Sequence, residues 1–214
     1  SIGVTAPLDY LNLFAARHIH LKINPLLNYG EVHKNPGLSL QQGDYADYLI
    51  RLYEYVIANK INITVSPIDK ILHAIVRNEP IRECTFRDGC NKDFLCIDQN
   101  GDIYPCGRFS DIKQFRLGNV CNQTEEPLEI SMLQPLLLRR SCRVPAKCQK
   151  CEYLDLCHAG CSAEAVIEGE LDMPPVLCKD YRMLFDYFHG KGLRLLREQL
   201  VQRKHYLLEV LDGI

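Results

Sequence analysis

The chain has 214 residues, of which 47% are hydrophobic and 24% charged, a composition typical of one globular domain or two small ones. Its net charge is −2, and a net charge this close to zero gives no reason to expect a nucleic-acid or membrane partner. No apolar run reaches the roughly 18 residues of a membrane-spanning helix, and the start resembles no signal peptide. We therefore expect a cytoplasmic protein and, because the first residue is not Met, a fragment or processed product.

Residues 1–83 carry alternating helix and strand patterns. In chain order, the patterns predict a helix over 8–17, a strand over 19–23, a helix N-capped by Asp44, a strand over 61–65 and a helix over 68–76. This order is typical of a parallel sheet with helical crossovers. Two strands are too few for a complete sheet of that kind, so we expect the last portion of a larger α/β domain.

The rest of the chain predicts less regular structure. A hairpin is indicated by alternation over 94–98 and 102–104 around the turn at Asn100-Gly101. A helix is expected over 128–139, and one or two amphipathic helices over 178–210, broken near Gly190 and Gly192. The remainder reads as cysteine-rich loop with short helical turns.

Cysteine is unusually frequent in one part of the chain. All eleven cysteines lie between Cys84 and Cys178, and residues 1–83 contain none. A cytosolic protein keeps its thiols reduced, so such a cluster favours metal binding or redox chemistry over disulfides. The odd number also argues against a complete set of bridges.

The cysteines are spaced as metal ligands are. The densest run is Cys148-x2-Cys151-x5-Cys157-x3-Cys161, with Cys178 sixteen residues later, and upstream stand Cys84, Cys90 and Gly101-x4-Cys106. Two cysteines separated by two residues can face one centre while loop amides point at sulfur. Spacing alone leaves structural zinc and an iron–sulfur cluster equally open. Cys96 and Cys121 read better as buried free cysteines, and Cys142 as a non-ligand.

This order of elements resembles the signature of SPASM domains, the C-terminal auxiliary-cluster domains of radical S-adenosylmethionine (SAM) enzymes. The local sequences that look like the family are 98–106, 117–120 and 157–161. The resemblance covers residues 84–185, while residues 1–83 look like the end of the partial TIM barrel that precedes such domains. It implies an α/β remnant of that barrel, a small α+β cysteine-rich domain with a β-hairpin, and a C-terminal helix over 186–214.

The resemblance also implies two [4Fe-4S] clusters and a division of the cysteines, which spacing does not show. The first cluster would take Cys84, Cys90, Cys106 and Cys161. The second would take Cys148, Cys151, Cys157 and Cys178. Each cluster would then contribute folding energy to a loop-rich segment.

Radical SAM enzymes hold their catalytic cluster with C-x3-C-x2-C, and this pattern is absent from the chain. We therefore expect no SAM cleavage by this chain alone. SAM and a third [4Fe-4S] cluster would belong to a full-length enzyme whose N-terminal half is missing here or supplied by another chain.

Few other residues are candidates for the site. In the sulfatase-maturing branch of the family an Asp directly after the hairpin Cys acts as the base, but Gly107 follows Cys106 here. Arg108 or Asp111 could touch a peptide or a cluster sulfur, or form a surface ion pair. Asn24, at the end of a predicted strand, could line a SAM pocket or only terminate the strand. His158 is expected to shape its loop or donate to sulfur rather than bind metal.

The sequence thus predicts part of a radical SAM oxidoreductase that modifies a ribosomally synthesised precursor peptide, by a cross-link or another oxidation. The auxiliary clusters would accept electrons from the substrate radical and pass them to an external carrier such as a flavodoxin or ferredoxin. One alternative is a non-catalytic zinc- or cluster-binding module that docks a peptide. Another is a sulfatase-maturase-like enzyme.

Overall fold

A computed structural model describes residues 8, 10–28, 31–87, 94–110, 112–122, 144–167, 169 and 171–201. Their contacts divide into two compact units. The first unit comprises the described residues within 1–26, 37–79 and 179–214, and the second those within 27–36 and 80–178. The division predicted from sequence, at residues 84 and 186, stays a prediction.

The first unit contains a parallel strand pair and the helices around it. Its elements are α1 (Tyr10–Ala16), β1 (Leu21–Lys22), α3 (Asp44–Ala58), β2 (Val65–Ser66), α4 (Ile68–Arg77) and, from residue 179 onward, α7 (Cys178–Tyr187). Strand β1 pairs with β2 in parallel, with Leu21 opposite Val65. The predicted parallel pairing is confirmed, over strands shorter than expected.

Helix α3 owes its position to one apolar face. Its buried residues are Tyr45, Ala46, Leu49, Leu52 and Tyr53, which recur at helical spacing. The prediction that Asp44 caps this helix is wrong, because Gly43 occupies the N-cap position. The Asp44 carboxylate instead accepts the backbone N–H of Gln41 at 3.0 Å.

The second unit is built on a three-stranded antiparallel sheet. Its elements are α2 (Glu31–Lys34), β3 (Cys96–Ile97), β4 (Asp102–Tyr104), β5 (Gly118–Asn119), α5 (Leu154–Cys157) and α6 (Ser162–Ile167), with 3₁₀ turns at Cys84–Phe86, Gly107–Phe109 and Lys113–Phe115. The strand order is β3-β4-β5. The predicted hairpin is confirmed, and β5 is a third strand that the sequence patterns did not indicate.

The hairpin turn is held by a side chain. Asp98 Oδ1 accepts the backbone N–H groups of Asn100 and Asp102 at 2.8 and 2.9 Å. Gly101 has φ +84°, a left-handed conformation that favours glycine. The turn reverses the chain so that β4 runs antiparallel to β3, and Cys106 follows two residues after the end of β4.

The C-terminal helix is continuous, which corrects the predicted break near Gly190 and Gly192. Helix α7 (Cys178–Tyr187) runs into one π-helical segment (Phe188–Gly192), and residues 193–201 are again α-helical. A π-bulge absorbs an extra residue without ending the helix. The helix predicted over 128–139 lies outside the described residues. No helix in the described part of the chain is long and apolar enough to cross a membrane.

Candidate metal centre

Two groups of thiols lie in the second unit. Thiol group A is Cys84, Cys106 and Cys161, and thiol group B is Cys148, Cys151, Cys157 and Cys178. Cys90, the fourth ligand proposed for group A, lies outside the described residues, as do Asp111 and Cys142.

Group B is centred on Cys157, the last residue of α5. Burial raises the pKa of Cys157 to about 12, and interactions with the three other members of the group act in the same direction. Charge interactions of this kind need short separations, so Cys178, which is distant in sequence, shares one neighbourhood with the three other cysteines. Two come from the turns before α5, and Cys178 is the first residue of α7.

In group A, the pKa of Cys106 is likewise raised by burial and by neighbouring thiols. Burial is the largest cause of its raised pKa, and interactions with Cys161 and Cys84 raise it further. The backbone N–H of Arg108 donates to the Cys106 sulfur and acts in the opposite direction. Cys106 thus has a partner that stabilises negative charge on sulfur, as a metal-bound thiolate requires.

Cys161, immediately before α6, is surrounded by groups of both signs. Burial and then Glu164 raise its pKa. The Arg108 guanidinium lowers it, as do hydrogen bonds from the backbone N–H groups of Glu164 and Ala163. The start of α6 therefore directs amides at the sulfur, although the side chain is buried.

The three residues between Cys157 and Cys161 have an unusual backbone conformation. His158, Ala159 and Gly160 have φ of 49°, 61° and 72°, three successive left-handed residues. A Cβ on Gly160 would lie 2.5 Å from Cγ of Pro175, so only glycine fits there. This turn reverses the chain tightly and brings the Cys157 and Cys161 segments of the two thiol groups close together.

His158 anchors that turn to the segment carrying Cys84. Its Nδ1 lies 2.7 Å from the carbonyl oxygen of Phe86, and since a carbonyl only accepts, Nδ1 carries the proton. Phe86 is buried at the end of the 3₁₀ turn that starts at Cys84. The bond fits the expectation that His158 shapes its loop.

A cavity of about 510 Å³ borders group A. Its wall includes Cys84, Phe86, Phe94 and His158, and two exposed arginines, Arg82 and Arg87. Glu83 also lines the cavity, so its wall combines aromatic surface with charges of both signs beside a thiol.

The donor chemistry fits iron–sulfur clusters. Thiols whose pKa values lie above the usual range stay protonated at neutral pH, and several thiolates can share such sites only if a cationic centre compensates them. Among the described residues, no three His, Cys, Asp or Glu side chains converge closely enough to hold a single metal ion. A four-iron cluster is wider than one ion and does not need its ligands so close together.

The sequence prediction did not find Glu164. Arg108 Nη1 donates to Glu164 Oε1 over 2.6 Å, and the Glu164 side chain is fully buried while that of Arg108 is 23% exposed. Arg108 thus has an ion-pair partner in the interior, and Asp111, the other residue of that prediction, lies outside the described residues. The available signal was an acidic residue among the small buried residues of α6.

Three further candidates are placed by the structure. Asn24 is exposed two residues beyond β1. Cys96 is half-buried and packs against the aromatic core that contains Phe109 and Phe115. The prediction that Cys121 is buried is wrong, since it lies exposed after β5.

Comparison with known proteins relates the chain to one group of enzymes. No family model matches it. It is 25% identical over 154 residues to the cysteine-type anaerobic sulfatase-maturating enzyme of Clostridium perfringens strain 13, an alignment covering 70% of the chain. The chain is homologous to the anaerobic sulfatase-maturating enzymes. It spans 40% of the length of that relative. An uncharacterized protein of Archaeoglobus fulgidus is 26% identical over 146 residues, which cover 65% of the chain and 35% of that protein.

Solved structures extend the similarity along the chain. Native anSMEcpe with bound AdoMet and the Cp18Cys peptide superposes with a TM-score of 0.59 and 20% identity, over 89% of this chain and 56% of that one. The complex with the Kp18Cys peptide superposes with a TM-score of 0.54 and 15% identity, over 92% of this chain and 75% of that one. At these identities the similarity shows a shared α/β fold. The predicted resemblance to radical SAM/SPASM peptide maturases is confirmed.

Proposed function

We propose that the chain is the auxiliary-cluster portion of a radical SAM oxidoreductase that modifies a ribosomally synthesised peptide. Group A with Cys90 would hold one [4Fe-4S] cluster, and group B the other. The observation that carries the proposal is the interaction of Cys157 with Cys178, Cys148 and Cys151. This is the set that the SPASM resemblance assigns to one cluster, whereas sequence spacing does not select it.

The chain's own residues would prepare both sites. Four-iron clusters supply one-electron redox chemistry when bound. Amides of Arg108, Ala163 and Glu164 donate to ligand sulfurs, which stabilises thiolate charge. The apolar cluster that includes Tyr104, Phe109 and Phe115 packs against Cys106 and Cys161 of group A.

A peptide is the proposed substrate. Two of the similar solved structures contain bound peptides, and the cavity beside Cys84 has aromatic surface and charged side chains of both signs that a peptide could contact. Gly107 stands where the sulfatase-maturing branch has its Asp base, so we propose a peptide oxidation other than sulfatase maturation. SAM, the third cluster and the electron carrier would act with the full-length enzyme.

Metal analysis tests the proposal. Anaerobic reconstitution should give a brown protein with absorbance near 400 nm and, for two four-iron clusters, about eight iron and eight sulfide per chain. A colourless protein with stoichiometric zinc would instead favour the zinc-binding docking module. Incubation with SAM and reductant should yield no 5′-deoxyadenosine above a no-protein control, because four-thiolate clusters leave no iron open for SAM.

A further inference from the structure

Strand β3 leaves one edge of the antiparallel sheet open. The strand order is β3-β4-β5, so among the described strands β3 pairs on one side only. The backbone N–H of Asp98 donates to the Asp102 carbonyl at 2.9 Å, which makes these two residues a hydrogen-bonded pair. Pairs alternate along an antiparallel ladder, so the neighbouring pair, Ile97 with Ile103, is not hydrogen-bonded. The N–H and C=O of Ile97 therefore point away from β4, toward the open edge.

The bonds of β4 agree with this orientation. The Ile103 carbonyl accepts the N–H of Leu117, directly before β5, at 2.7 Å. Ile103 thus turns its backbone away from β3, as its partner Ile97 turns away from β4. Within the described part of the chain, no hydrogen bond to the backbone of Ile97 is present. Leu95, two residues earlier, has the same outward orientation by the alternation of the ladder.

The side chains on this edge are apolar and exposed. Cys96 packs against the aromatic core of the unit. Its neighbours Leu95 and Ile97 lie on the other face and are 56% and 59% exposed. Sheet edges are commonly protected by charged residues, proline or a bulge. Residues 94–97 contain no charged residue and no proline, so this edge is a template for a further strand.

The edge is continuous with the cavity of about 510 Å³. Phe94, the residue before Leu95, lines that cavity and is exposed. The cavity wall also contains Arg82 and Arg87 and one acidic residue, Glu83, whose carboxylate accepts a backbone N–H of its own turn. The described wall therefore has a net positive charge, which complements an acidic side chain.

We propose that the peptide substrate binds by strand addition, pairing with the open edge of β3 and placing an acidic residue in the cavity beside Arg82 and Arg87. The inference rests on the proposed function, because that function supplies the peptide. An extended peptide forms backbone hydrogen bonds with Ile97 and packs alternate apolar side chains on Leu95 and Ile97. The substrate class that fits is a peptide with alternating apolar residues followed or preceded by an acidic one.

The test uses the anaerobically reconstituted chain and a synthetic probe. The probe is a fluorescein-labelled peptide in which valine and threonine alternate and one end carries glutamate, and fluorescence anisotropy measures its binding. Two N-methylated versions carry methyl groups on the valines only or on the threonines only. An added strand directs alternate N–H groups at the edge, so we expect one version to lose binding and the other to keep it. The version that fails also identifies the strand direction.

Variants of the protein test the side chains. Ile97→Ser and Leu95→Ser remove apolar contacts, and we expect each to weaken probe binding about tenfold. Val120→Ser is the matched control, because Val120 is an exposed apolar residue beyond β5, at the other side of the sheet, and should leave the affinity unchanged. Arg82→Gln combined with Arg87→Gln should weaken binding of the glutamate probe but not of a probe with glutamine in its place.

The contrary outcomes are distinct. Equal behaviour of the two N-methylated versions, equal weakening by Val120→Ser and Ile97→Ser, an unchanged affinity in the double arginine variant, or no binding of the unmodified probe overturns the inference. Analytical ultracentrifugation detects a competing occupant. A dimer that Ile97→Ser converts to monomer and that excludes the probe places a second copy on the edge and also overturns the inference.

Iron and sulfide analysis of the same samples separates the inference from the proposed function. Full iron content without probe binding refutes strand addition and leaves the cluster proposal intact. Probe binding with the expected N-methylation pattern but without iron refutes the cluster proposal and leaves strand addition standing.

Discussion

The carboxylate of Asp180 accepts a hydrogen bond from the backbone N–H of Gly43, 137 residues earlier in the chain. Its Oδ1 also accepts the N–H of Ala46 at 3.0 Å. Gly43 is the N-cap residue of α3, with φ +101° and no side chain to cap the helix. A fully buried aspartate on α7 therefore supplies both the capping oxygen and the negative charge that a helix N-terminus favours.

Replacing Asp180 should destabilise the first unit. Asp180→Ala leaves the N–H groups of Gly43 and Ala46 buried without their partner, and we expect a loss of about 2–3 kcal/mol in the free energy of unfolding. Urea denaturation followed by circular dichroism measures it. The matched control is Asp47→Ala, an exposed acidic residue in the first turn of α3, which should cost less than about 0.5 kcal/mol. Equal losses in the two variants would contradict the capping role.

Tyr53 should give a pH-dependent contribution to stability. Its hydroxyl donates to the Gly192 carbonyl at 2.8 Å, and burial raises its pKa from 10.0 to about 12. The folded-state pKa is raised, so the contribution of neutral Tyr53 is complete below pH 10 and is lost as the pH rises toward 12. Tyr53→Phe should cost about 1 kcal/mol at pH 9, and the deficit should shrink at pH 11. Urea unfolding of both proteins at each pH measures this, and a deficit that stays constant would refute the assignment.

The cysteines should divide into ligands and non-ligands. Cys157→Ala should remove one cluster, so that the iron content falls from about eight to about four per chain and stability falls with it. Cys96→Ala and Cys121→Ala should keep the full iron content and cost no more than about 1 kcal/mol. Iron and sulfide analysis after identical anaerobic reconstitution provides the comparison. Loss of iron in Cys96→Ala would overturn the ligand assignment.

Gly160 should tolerate no side chain. Gly160→Ala places a Cβ 2.5 Å from the Pro175 ring at φ +72°, so strain and overpacking together should cost about 2–4 kcal/mol. The displaced turn should also lower iron uptake, because Cys157 and Cys161 flank it. Gly37→Ala is the control, since a Cβ there meets nothing within 4 Å. Thermal unfolding and iron analysis of the two variants test the prediction, which fails if both behave as wild type.

The sequence determined the local structure well. Apolar periodicity located α3 and α4, and the Asn100-Gly101 turn located the hairpin, because neighbouring residues decide both features. The break expected at Gly190 and Gly192 failed because glycine also permits a π-bulge. The cysteine spacing predicts a metal centre, since a short loop can direct several thiols at one point, and this stays a prediction.

Only the tertiary structure decided which distant groups meet. Cys178 lies near Cys157, and Arg108 reaches Glu164 across 56 positions of sequence, as Asp180 reaches Gly43 across 137. No periodicity encodes such contacts, because they depend on how whole elements pack and on which buried charge needs a partner. Helices, turns and ligand spacing depend on neighbouring residues. A buried polar group needs a hydrogen-bond partner, and which distant residue provides it depends on how the folded chain packs.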